Sequence, residues 1–76
     1  MCEYETTGET TTGLDECLIA AAAALGMREA WEDADGPDSG CGVDFWFVHA
    51  DRASLFLHVN QDQDTYTWAT HDEATA

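Results

Sequence analysis

The chain has 76 residues, of which 16 are acidic and two are basic, and its formal net charge is −14 at pH 7. This charge excludes direct binding of DNA or RNA, which needs lysine and arginine at the phosphates, and it opposes contact with anionic membrane surfaces. Hydrophobic residues make up 45% of the chain and aromatic residues 11%. That is too much apolar material for a disordered acidic polymer, so we expect one small folded domain.

The N-terminal segment is polar and rich in Thr, Glu and Gly, which is typical of a frayed terminus. An edge strand over residues 3–7 is the alternative. The segment has neither the basic region nor the apolar run of a signal peptide. The expected location is therefore the cytoplasm. There Cys2, Cys17 and Cys41 stay reduced, with a Cys2–Cys41 disulfide as the alternative.

A helix is the clearest predicted element and begins near Gly13. Thr12 and Asp15 resemble a capping box, and the alanine run that follows consists of the best helix former. The run Cys17–Leu25 is apolar nearly all round. Such a helix is normally buried on more than one side, so it predicts burial under a sheet or in a homodimer.

Gly26 interrupts the helical pattern and allows two interpretations. It could cap the helix, with Met27 as the next hydrophobic contact. The favoured interpretation is a helix that continues, straight or bent, through Asp33. The segment Asp35–Gly42 then predicts a loop, because it contains Gly, Pro, Asp and Ser in close succession.

Three strands are predicted after this loop, over Val43–His49, Ser54–Val59 and Thr65–Thr70, because these segments alternate or are rich in strand formers. The fold class is α+β, with one helix packed on a three-stranded antiparallel meander in the order α-β-β-β. The domain would span residues 13–70, with a flexible segment over 1–12 and a flexible tail over 71–76.

Alternation along the strands predicts a second apolar face on this sheet. The residues expected to face the helix are Phe45, Phe47, Leu55, Leu57 and Val59, and those expected on the outer face are Trp46, Val48, Phe56 and His58. An apolar patch rimmed by charge usually marks an interaction surface. Coverage of this face by the N-terminal segment is the alternative.

Metal and catalytic motifs are not apparent. His49, His58 and His71 have no zinc-ligand spacing relative to one another or to the cysteines, and His49 and His58 are predicted on opposite faces. The acidic loop lacks the distal glutamate of a calcium loop. No phosphate-binding glycine loop or nucleophile motif is present. We therefore expect no metal, no cofactor and no enzymatic activity.

The remaining signal is the distribution of acidic residues, which form runs without interspersed basic residues. Together with two aromatic residues of the outer face, they form the predicted partner-binding set: Glu29, Glu32, Asp33, Asp35, Asp38, Asp62, Asp64, Trp46 and Phe56. Carboxylates can be met by the lysines and arginines that normally contact phosphates, while aromatic groups supply specific affinity.

In size, acidity and lack of catalytic motifs the whole chain resembles phage-encoded DNA mimics, including anti-CRISPR proteins that block the basic channel of a CRISPR effector. The resemblance implies a partner that is a basic nucleic-acid-binding protein and, for a phage-encoded chain, a location in the host cytoplasm. One alternative is haloadaptation, since an acidic surface with no lysine and many Thr and Ala residues also suits molar salt. Another is a dimeric adaptor or antitoxin-like module without DNA mimicry.

Overall fold

The computed structural model describes residues 12–38, 40 and 42–72. Its elements are helix α1 (Leu14–Leu25) and strands β1 (Trp31–Ala34), β2 (Val43–His49), β3 (Arg52–Asp62) and β4 (Thr65–Asp72). The strands form an antiparallel sheet in the order β1-β2-β3-β4. The predicted α+β class is confirmed, and the predicted number of three strands is wrong by one.

Helix α1 begins without the capping box that the sequence suggested. Gly13 is the N-cap residue, and it offers no side chain to the free amides. The hydroxyl of Thr12 instead donates to the carboxylate of Glu16 at 2.9 Å. Asp15 and Glu16 lie in the first turn, where negative charge interacts favourably with the helix dipole.

Gly26 ends the helix, so the predicted continuation through Asp33 is wrong. It adopts the left-handed conformation with φ 67°, which costs glycine little because it has no Cβ. The N–H of Gly26 donates to the carbonyl of Ala23 at 3.1 Å, and that of Met27 to Ala22 at 2.9 Å. These two bonds close a Schellman motif and turn the chain away from the helix.

Strand β1 replaces the predicted second half of the helix. Its backbone pairs with β2, Trp31 lying opposite His49 and Ala34 opposite Trp46. The indole N–H of Trp31 donates to the carbonyl of Leu18 at 2.9 Å and ties the strand to α1. Pairing with β2 therefore outweighs the helical preference of this short segment.

The other strands form the predicted meander, with longer pairing than expected. Residues 50–51 connect β2 to β3 and residues 63–64 connect β3 to β4. β3 is 11 residues long, and β4 extends two residues beyond the predicted Thr70. Flexible segments were predicted over residues 1–12 and 71–76. Residues 1–11 and 73–76 of these segments lie outside the described residues.

The core lies between α1 and one face of the sheet, as predicted. Its buried cluster consists of Cys17, Ala21, Phe47, Leu57, Val59 and Trp68. Within the described residues α1 is buried on this side alone, since Ile19 is 58% exposed and Leu25 40% exposed. Burial under the sheet is confirmed, and the homodimer stays a prediction. Ala23 and Ala24 are exposed and account for part of the apolar pattern on the other side of the helix.

Candidate functional site

The outer face of the sheet, turned away from α1, carries a buried polar cluster. His58 Nε2 lies 2.7 Å from Oδ1 of Asp44, and the Asn60 amide donates to the same oxygen at 3.0 Å. The side chains of His58 and Asp44 are 5% and 9% exposed. Asp44 lies opposite Asn60 across the β2–β3 ladder, so strand register brings them together. These hydrogen bonds offset the cost of burying the polar groups.

Trp46 lies above this cluster and is enclosed from both sides. Its indole stacks on the His58 ring, with centroids 4.3 Å apart and planes at 9°. A Cβ added to Gly36 would overlap the indole carbons. Because His58 occupies one face of the ring, the backbone of Gly36 lies against the other. Trp46 was predicted as a partner contact, but its ring faces are occupied within the chain.

The enclosed tryptophan fixes the acidic loop that connects β1 to β2. Its indole N–H donates to the carbonyl of Pro37 at 3.0 Å. In the same loop, Oδ1 of Asp38 accepts the backbone N–H of Gly40 at 2.9 Å. Asp35 and Asp38 are both exposed. The described part of the loop therefore holds two carboxylates on a backbone that is attached to the sheet.

Both basic residues of the chain lie near the β2–β3 turn and are paired there. Arg28 donates to the Asp51 carboxylate through Nε and through one terminal nitrogen, each at 2.7 Å. These hydrogen bonds raise the pKa of Arg28 and lower the pKa of Asp51. Arg52 pairs with Asp72. We call this region of the molecule the arginine end.

His49 belongs to the same end and has a structural role. Its Nδ1 accepts the backbone N–H of Asp51 at 3.0 Å, so its Nε2 donates to the carbonyl of Arg28 at 2.8 Å. The side chain is buried and makes an edge contact with Trp31. His49 and His58 lie on opposite faces of the sheet, as predicted.

The opposite end of the sheet carries carboxylates without basic residues among the described ones. Gly42 lies so close to the Gln61 carbonyl that a Cβ would overlap it, which places the loop beside the end of β3. Asp38 and Gly42 line one shallow depression there. Asp62 and Asp64 follow at the β3–β4 turn. We call Asp38, Asp62 and Asp64 the acidic end.

The predicted partner-binding residues divide between these regions. Glu29 immediately follows Arg28, so it lies at the arginine end. Glu32 and Asp33 are exposed on β1 and point to alternate faces. The acidic run from Glu29 to Asp38 is therefore divided among the arginine end, the two faces of β1 and the loop that follows β1. The structure brings Asp35 together with Trp46 and Phe56 on the outer face, whereas Asp38 lies nearer Gly42 and Val43.

A groove crosses this face between the loop and the end of β4. Its volume is about 580 Å³, and its lining residues are Asp35, Gly36, Pro37, Trp46, Phe56, His71 and Asp72. The contribution of His71 and Asp72 was not predicted from the sequence, because the last predicted strand ended at Thr70. The register of β3 against β4 brings His71 into the groove, because it places His71 directly opposite Phe56.

Other kinds of site find no support in the described part of the chain. No group of three or more His, Cys, Asp or Glu residues there could hold a metal ion. Cys17 is buried and forms no disulfide within the described residues, whereas Cys2 and Cys41 lie outside them. None of the described helices has the length and apolar character needed to cross a membrane.

Comparisons of the chain with protein-family models, with curated proteins and with solved structures find no match.

Proposed function

We propose that this protein is an acidic inhibitor that binds a basic nucleic-acid-binding surface of another protein in place of DNA or RNA. The observation that carries the proposal is the separation of charge. Both arginines are paired with aspartates at one end, whereas Asp38, Asp62 and Asp64 form no ion pair within residues 12–38, 40 and 42–72.

The fixed geometry of the loop supports the same proposal. Carboxylates that serve only to keep a protein hydrated need no defined positions. Here Trp46 holds the loop through a hydrogen bond to Pro37 and contact with Gly36. Groups fixed before binding lose less conformational entropy when a partner binds, which strengthens the complex. Dense carboxylates also accelerate association with a cationic surface and make it sensitive to salt.

Haloadaptation remains the second candidate, because the chain has two basic residues against 16 acidic ones. The two candidates predict different salt responses. The Debye length falls to about 3 Å at 1 M salt, so the repulsion between the carboxylates of the chain is largely screened before that concentration is reached. For an inhibitor we therefore expect cooperative unfolding in dilute buffer and a gain in stability that levels off. Folding that requires molar KCl, followed by circular dichroism, favours haloadaptation.

The proposal is tested by displacement of basic proteins from DNA. Proteins from a lysate of the source cell, or of the host cell if the chain is phage-encoded, are retained on DNA-cellulose. The purified protein is then applied at low salt. We expect selective elution of a small set of proteins. The variants D35N/D38N and D62N/D64N should elute less of this set than D15N/E16Q, which has the same net charge but lacks two helix carboxylates instead.

The control separates a site from bulk charge. Equal elution by all three variants would mean that total charge alone displaces the proteins, and the proposed inhibitor role would be abandoned. A CRISPR effector, the partner suggested by the resemblance to DNA mimics, can be assayed in the same way with its own labelled target DNA.

A further inference from the structure

The outer-face groove combines an aromatic floor with carboxylates at both margins. Phe56 and His71 face each other across the β3–β4 ladder, and Phe56 is half-buried while His71 is exposed. Asp35 lies on the loop side and Asp72 on the β4 side. The ring of His71 also lies 5.8 Å from that of Trp46, which closes the floor toward the loop.

The negative charge of the groove and of the whole chain limits the kind of ligand that can bind there. Its two acidic residues and the large net negative charge of the chain repel anionic ligands. A cation gains from the carboxylates and from aromatic faces within about 6 Å. At the β4 margin, the carboxylate of Asp72 already pairs with the guanidinium of Arg52. Asp35, at the other margin, forms no ion pair within the described residues.

Shape then favours arginine over lysine. The guanidinium group is planar, stacks on aromatic rings and can donate two parallel hydrogen bonds to one carboxylate. The ammonium group of lysine is compact and strongly hydrated, so it gains less from a flat aromatic surface. A groove of about 580 Å³ has room for a whole arginine side chain and the adjoining backbone.

We propose that this groove binds an arginine side chain presented by a basic segment of the partner protein. The guanidinium stacks on Phe56 and His71 and pairs with the carboxylate of Asp35. This inference rests on the proposed function and adds to it the chemistry that the partner must present. The acidic end supplies long-range attraction, and the groove supplies selectivity for arginine.

The probes are two blocked hexapeptides of equal charge, one of arginine and one of lysine, titrated into the full-length protein by NMR at fixed salt. We expect the arginine peptide to bind more tightly and to shift the backbone signals of Phe56 and His71. D35N should weaken arginine binding about 3- to 5-fold, consistent with one exposed charged or cation–π contact. F56L keeps the apolar volume but removes the ring, and a similar loss is expected.

D38N is the matched control, since it removes the same charge from the same loop but outside the groove lining. Because Asp38 contributes only long-range attraction, D38N should weaken both peptides alike. Equal affinity for both peptides, or a preference for arginine that D35N and D38N reduce equally, would overturn the groove proposal. Arginine selectivity that depends on Asp35 supports it even if displacement from DNA fails, in which case only the proposed inhibitor role is lost. Displacement that is unaffected by D35N and F56L removes the groove proposal and leaves the inhibitor role.

Discussion

The backbone of Gly36 lies against the face of the Trp46 indole, with no space for a Cβ between them. We expect G36A to lower the free energy of unfolding by about 1–3 kcal/mol, the usual cost of overpacking, or to detach the loop from the sheet. Urea unfolding measures the first outcome. The NMR signal of the Trp46 indole N–H reports the second, because that group donates to Pro37.

The control for this prediction is P37A, which keeps the carbonyl that accepts the indole N–H. It should lose about 0.4–1 kcal/mol, through the greater freedom of the unfolded chain, and leave the indole signal in place. If G36A retains full stability and an unshifted indole signal, Gly36 is not packed on the ring and the loop is not fixed in the way we describe.

Gly42 and Gly26 offer a matched pair of substitutions. Both have positive φ, 56° and 67°, but only at Gly42 would a Cβ overlap a neighbouring backbone, that of Gln61. G26A should cost about 1–2 kcal/mol for the left-handed conformation. G42A should cost more, because overpacking adds about 1–3 kcal/mol. Chemical unfolding of both variants measures the difference, and equal losses would argue against the close approach of the loop to β3.

Asp44 is expected to be the acid whose removal most destabilises the outer face. D44A leaves the buried Nε2–H of His58 and the Asn60 amide without this acceptor. An unsatisfied buried donor costs about 1–3 kcal/mol. The control D62A removes an exposed carboxylate and should change stability by no more than about 0.5 kcal/mol. Thermal unfolding compares the two, and a D44A variant as stable as D62A would contradict the buried cluster.

The Arg28–Asp51 pair predicts a defined dependence of stability on pH. The hydrogen bond from Arg28 lowers the pKa of Asp51, so the folded state favours the ionised carboxylate. The resulting contribution is present above the ordinary Asp pKa of about 3.9 and is lost as the pH falls through the lower folded-state pKa. The difference in Tm between the wild type and D51N should therefore narrow as acid is added.

R28Q provides the reciprocal measurement, since it removes the cause of the shift. In the R28Q background, D51N should change Tm by an amount that varies less with pH than it does in the wild type. A gap between the wild type and D51N that stays constant from about pH 7 to the acid limit would show that the pair makes no contribution in solution. Both side chains are largely exposed, so salt should weaken the effect.

Local patterns predicted much of the fold. Alternating residues in β2 and β3 correctly identified the strands and the face packed on α1, because a period of two determines which side chains share a face. The segment after Gly26 was the main error. Residues 27–33 have acceptable helical composition, and their strand conformation depends on pairing with His49 and its neighbours, which a local pattern does not contain.

The site was predictable in composition but not in geometry. The sequence identified Trp46, Phe56 and the loop carboxylates as candidates. It did not indicate that Gly36 would enclose Trp46, because that contact joins residues ten positions apart through the fold of the loop. Asp44, an acid inside an apolar strand, was the signal that could have revealed the buried cluster, since the predicted meander already places β2 beside β3.

The separation of the arginine end from the acidic end has a consequence for the approach to a partner. Ten residue steps along β3, at about 3.3 Å each, put roughly 30 Å between Arg52 at the start of the strand and Asp62 at its end. Under the proposed function, we expect a cationic partner to attract the end that carries Asp62 and Asp64 more strongly than the end where both arginines lie.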